Sequence, residues 1–151
     1  MHAARRPHAL TSLTAVGLIG LASLLGGCST TSALALEEGD CMVSPTDDSD
    51  EISNVTTTAC TDEHDAEVIG VTTIDGDTLP DSDALDAQAQ TDCLSAFSSY
   101  VGSDYETSSL DLTWMVPTQD SWDKAHDREI VCVAVSGDGS SLTQSVKGSQ
   151  L

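Results

Sequence analysis

The chain is 151 residues long and strongly acidic, with 25 Asp and Glu against five Lys and Arg and a formal net charge of −20. Without a basic face to neutralise phosphates, nucleic-acid binding is excluded, and a basic patch cannot hold the chain to anionic lipid headgroups. The length suits one domain, and one Phe, two Trp and two Tyr make a thin core, the situation in which small exported domains lean on disulfides. The acidity itself reads as a solvated, soluble surface rather than a dedicated surface for cations or a basic partner.

In chain order, residues 1–27 have the three parts of an export signal: Arg5 and Arg6, an apolar run from Leu10 to Leu25, and two small residues, Gly26 and Gly27. Thr11, Ser12, Thr14 and Ser23 interrupt the run, which is short of the roughly 20 apolar residues that a membrane span needs. An ordinary cleaved signal or an uncleaved anchor is the plainer alternative. Leu25-Gly26-Gly27-Cys28, however, resembles the lipobox of bacterial lipoproteins. That resemblance implies a signal peptide over 1–27 and Cys28 as the lipidated first residue of the mature chain. It also implies attachment to the plasma membrane, on its extracytoplasmic face. The other four of the five cysteines can then pair among themselves. The mature chain keeps Lys124, Arg128 and Lys147 against all 25 carboxylates, and no Lys or Arg occurs between Cys28 and Asp123.

Residues 28–36 are expected to be the lipidated Cys and a short tether, a flexible coil spanning about 15 Å, and 37–151 the extracytoplasmic domain. Gly39 to Val43 reads as a first strand, followed by an acidic loop to Asn54 and a Thr-rich strand from Val55 to Cys60. Ala66 to Ile74 is strongly β-prone and ends at the Asp75-Gly76 turn. A helix then starts near Pro80-Asp81-Ser82-Asp83, carries an apolar stripe of Leu85, Ala89, Cys93 and Phe97, and stops at Gly102. Leu110 to Val116 alternates as a half-buried strand, and Glu129 to Val135 is apolar on both faces, as a central strand is. Gly137-Asp138-Gly139 turns the chain into a last edge strand around Leu142 to Lys147. The fold class is α+β: a small antiparallel sheet with one amphipathic helix packed on a face and two disulfides.

Cys41, Cys60, Cys93 and Cys132 allow three pairings, of which Cys41–Cys60 and Cys93–Cys132 are favoured. The first staples neighbouring strands across the acidic loop, and the second ties the helix stripe to the central strand, each closure adding about 3–4 kcal/mol. No C-x-x-C pair supports zinc, and no cofactor or metal is expected. His64, with Glu63, Asp65 and Glu67, is the densest group of ligand-type side chains, but reads as a structural histidine where a strand begins. The Asp75–Asp77 and Asp81–Asp83 pairs lack the order of a calcium loop. His64-Asp65 and His126-Asp127 come without a G-x-S-x-G elbow, so no catalytic residue is assigned. Arg128, the only Arg after the leader, is expected to pair bidentately with a carboxylate, and Trp122 to anchor packing.

Gly39-Asp40-Cys41, Cys60, His64-Asp65-Ala66-Glu67-Val68, a helical Cys93, Pro117, Trp122, Arg128 and Cys132 together resemble the septum formation domain family over about 39–148. This chain has Glu63 where the family tends to have Pro, and Lys124-Ala125-His126-Asp127 where it tends to have a Gly-rich turn. The resemblance implies a non-catalytic extracytoplasmic module of division-site or envelope biology, with a cell-envelope or division protein as partner. The alternatives are a small-ligand or cation-binding lipoprotein and an envelope hydrolase.

Overall fold

A computed structural model describes residues 28–43 and 53–151. Residues 1–27, expected to be a signal peptide, and most of the acidic loop lie outside the described residues. Six strands form one antiparallel sheet: β1 (Ser29–Ser32), β2 (Cys41–Val43), β3 (Asn54–Thr58), β4 (Ala66–Thr73), β5 (Leu110–Met115) and β6 (Glu129–Ser136), in the spatial order β1-β3-β2-β4-β6-β5. A long helix, α1 (Ser82–Val101), precedes β5, and a short one, α2 (Gln119–Lys124), precedes β6. The α+β class and both cysteine pairs, Cys41–Cys60 and Cys93–Cys132, are as the sequence leads one to expect.

The long helix follows from its sequence. Asp81 caps it by accepting from the Ala84 N–H, and Gly102, at φ 84°, ends it in the left-handed conformation that glycine adopts without strain. Leu85, Ala89, Cys93 and Phe97 recur one turn apart and are buried against the sheet with Ile69, Ile130, Cys132 and Ala134. The opposite face of the sheet gathers Val68, Val131, Val133, Met42 and Val55, with Leu36 folded over them. Burial on both faces explains why β6 reads as continuously apolar.

Three segments depart from expectation. Residues 29–36 are not a loose tether. Ser29–Ser32 pair with Asn54–Thr57 as an edge strand, Ala33–Ala35 form a 3₁₀ turn, and Leu36 is buried. Thr57 stabilises the pairing through hydroxyl contacts to Ser29 and Thr31, which local propensity does not reveal. The last strand is also absent as such. Both edges of β6 are taken, by β4 and β5, so the returning chain makes one isolated bridge, Leu142 with His64. It then runs to the end of α1, where the Gly148 and Gln150 N–H groups donate to the Tyr100 and Val101 carbonyls. Third, α2 has only six residues, too few to show a period; a reciprocal cap between Thr118 and Ser121 starts it.

The helix lies close to β4 because of two local features. The β4–β6 register shifts between Val68 and Gly70, a bulge that turns Ile69 toward the helix. Gly70 then offers no side chain, and a Cβ placed there would lie 2.8 Å from the Ala96 Cβ. Gly70→Ala is expected to destabilise the fold by about 1–3 kcal/mol through overpacking. Adding Ala96→Gly should recover part of that loss, less about 1 kcal/mol of helix propensity, in urea unfolding of the single and double variants.

Candidate functional site

The most unusual chemistry lies where β2, β4, the end of α1 and the C-terminal segment meet. Glu67, fully buried on β4, accepts from the Tyr100 hydroxyl at 2.6 Å and the Ser145 hydroxyl at 2.6 Å through Oε1, and from the Val146 N–H at 2.7 Å through Oε2. A carboxylate removed from water is tolerated only with such a set of donors. Burial, then the hydrogen bond to Glu67 and its negative charge, hold the Tyr100 phenol well above its ordinary range. On the outer side, Lys147 pairs with Glu38 at 3.1 Å and sits 4.9 Å from the Tyr100 ring centre.

His64 is 1% exposed, so the structural place expected for it agrees with its surroundings. Its backbone bonds Leu142 in both directions and its Nδ1 lies 2.9 Å from the Asp62 carbonyl. Nε2 has no hydrogen-bond partner among the described residues. Among the described residues, Cys41, His64 and Glu67 bring ligand-type atoms within 4.8 Å of one another. Because the Cys41 sulfur is bonded to Cys60, it cannot ligate, and Glu67 already serves three donors. The cluster therefore fits a structural joint rather than a metal centre. His126 is exposed at φ 58°, and among the described residues neither it nor His64 hydrogen-bonds a serine.

Trp122, 2% exposed, is a packing anchor, as expected. Arg128 corrects its expectation: it makes no ion pair among the described residues. Its Nη1 donates to the Trp122 and Asp127 carbonyls at 2.8 Å, and its guanidinium lies 3.5 Å from the Trp122 ring centre. The end of a helix leaves carbonyls without partners, and a cation stacked on an aromatic face there satisfies that of Trp122 directly, along with the Asp127 carbonyl in the turn that follows. Cys28 is exposed and unpaired, immediately before β1. No helix among the described residues is long and apolar enough to cross a membrane.

The sequence places Glu67 among ligand-type side chains and within the family resemblance, but gives no sign that Tyr100 and Ser145 bond to it. An acid within the apolar stretch Ala66–Thr73 was the one available signal, because an unpaired carboxylate could not be buried there. The residues that hold it lie on other segments.

A family model described as septum formation matches residues 28–132, which include the Glu67 and Tyr100 positions and all four paired cysteines. No curated protein and no solved structure matches the chain.

Glu67→Leu would leave the Tyr100, Ser145 and Val146 donors without an acceptor, and is expected to cost about 3 kcal/mol or more in urea unfolding. Faster hydrogen exchange at the Val146 amide should accompany it. The folded state also keeps the Tyr100 proton that the unfolded chain loses above about pH 10. Stability is then full below that pH and falls as pH rises past it. Tyr100→Phe should make that alkaline decline shallower, checked by urea unfolding between about pH 9 and pH 11.

Proposed function

Since this chain belongs to the septum formation family, we propose that it is a lipid-anchored binding and structural module on the extracytoplasmic face of the plasma membrane, without catalytic chemistry of its own. The family ties the chain to cell division and the envelope; the anchor and the binding role are the further steps. The observation that carries the anchor is Cys28. It is the one exposed, unpaired sulfur, it follows Leu25-Gly26-Gly27, and the other four cysteines are held in two disulfides. Disulfides persist in oxidising, exported compartments, which supports a place outside the cytoplasm. A thioether-linked diacylglycerol supplies two acyl chains, enough for stable attachment where a single chain is not. The acidic surface keeps the domain from lying on anionic headgroups, so the lipid is the contact with the bilayer. The partner on this reading is an envelope or division protein.

Membrane fractionation with fatty-acid labelling in the producing cells tests the anchor. The parent chain is expected in the membrane fraction carrying label, and Cys28→Ala in the soluble exported fraction without it. A Cys28→Ala chain that stayed on the membrane unlabelled would overturn the anchor. Proximity labelling from the anchored protein is expected to enrich division-site proteins; a scatter of unrelated lipoproteins would remove the support for that association.

A further inference from the structure

The two ends of the sheet, β1 and β5, are farthest apart in strand order, yet residues beside both line a single cleft of about 690 Å³. The end of β1 and the end of β5 therefore border one gap. One wall is the end of β1 and the turn after it, Ser32 to Leu34; the other is 114–118, with Val131 behind. On that second wall Trp114 and Met115 are the last two residues of β5, and Val116, Pro117 and Thr118 follow the strand. In a strand, neighbouring side chains point to opposite faces. Trp114 belongs with the residues packed under α1 and Met115 with those of the opposite face. The cleft therefore reaches the backbone edge at the end of β5 as well as the sheet face that carries Met115 and Val131. β5 pairs with β6 alone, so its other edge has no strand beside it among the described residues. Such an edge is a template for another strand.

The cleft also has a charge. Asp120, Asp127 and Glu129 line it, and among the described residues no Lys or Arg does. Asp120 shares its charge with Lys124 at 2.6 Å, while Asp127 and Glu129 have no cationic partner among the described residues. A second copy of this chain would bring its own 25 carboxylates against these, which disfavours self-pairing through this edge. Leu34, 47% exposed at the rim, supplies apolar surface beside the acids.

We propose that this cleft takes an extended peptide segment of alternating basic and apolar residues, from a protein partner, which adds as a strand to the free edge of β5. Main-chain hydrogen bonds supply the affinity, and the carboxylates select basic side chains. The inference deepens the binding role proposed above by naming its surface and the chemistry of its partner.

The test uses the full chain purified in detergent and three synthetic heptapeptides: Lys and Val alternating, the same peptide N-methylated at every residue, and Glu and Val alternating. The Lys/Val peptide is expected to bind saturably in calorimetry and to slow amide exchange within Leu112–Val116. Main-chain N-methylation, which keeps the charge but removes every backbone N–H, should weaken binding at least tenfold, and the Glu/Val peptide should not bind. Asp120→Asn with Glu129→Gln should weaken the Lys/Val peptide several-fold. Equal binding of the N-methylated peptide would show adsorption by charge alone and overturn the proposal. So would protection confined to other parts of the sheet, or dimerisation of the chain through β5 without any peptide. These readouts on purified protein are independent of acylation and of the proximity experiment, so failure here leaves the anchored, division-associated reading standing, and the reverse.

Discussion

A single buried carboxylate joins three parts of this domain that the chain order keeps apart. Glu67 lies in a central strand, Tyr100 at the end of the long helix, and Ser145 and Val146 in the final segment. Sheet, helix and C-terminal segment thus converge on two oxygens. Hydrophobic contact alone is non-directional and would leave the last segment free to slide along the helix. Hydrogen bonds to a charged acceptor have direction, and each donor left without its acceptor is costly in an interior. The geometry at Glu67 therefore fixes where the C-terminal residues run, and the Gly148 and Gln150 amides then bond the last turn of the helix.

Around that joint, the two disulfides divide the work. Cys93–Cys132 holds the helix to β6 in the middle of the core, where both sulfurs are buried. Cys41–Cys60 closes the loop that leaves β2 and returns through β3, beside His64. The bulge at Ile69 and the bare backbone of Gly70 set the distance between the helix and the sheet. A core with few aromatics is thereby held by directional and covalent links more than by bulk. The acidic surface, with two ion pairs among the described residues, adds little to that hold.

What could be read in the sequence was what is local or periodic. The helix had its cap, its one-per-turn apolar stripe and its terminating glycine; the strands from Ala66 and Glu129 had β-branched runs; and the cysteine pairing followed from which faces those elements bury. What was hidden depends on partners distant in sequence. Ser29–Ser32 looks like a linker until the Thr-rich Asn54–Thr58 lies beside it. Residues 142–147 look like a strand until both edges of β6 prove to be taken. Arg128 among so many acids invites an ion pair, yet the Trp122 carbonyl at the end of a six-residue helix, the Asp127 carbonyl after it and the face of Trp122 are nearer at hand. Glu67 was visible as an anomaly, an acid in an apolar strand, without its donors being deducible.

The edge strand that replaces the expected tether has a mechanical consequence. Cys28 is followed at once by Ser29, whose backbone is already in register with Thr57, so no slack lies between that sulfur and the sheet. A pull applied at Cys28 along the strand would load the four rungs between Ser29–Ser32 and Asn54–Thr57 in shear, together rather than one after another. The domain would then behave as a stiff pennant fixed at one corner, its heading relative to the point of attachment set by the sheet.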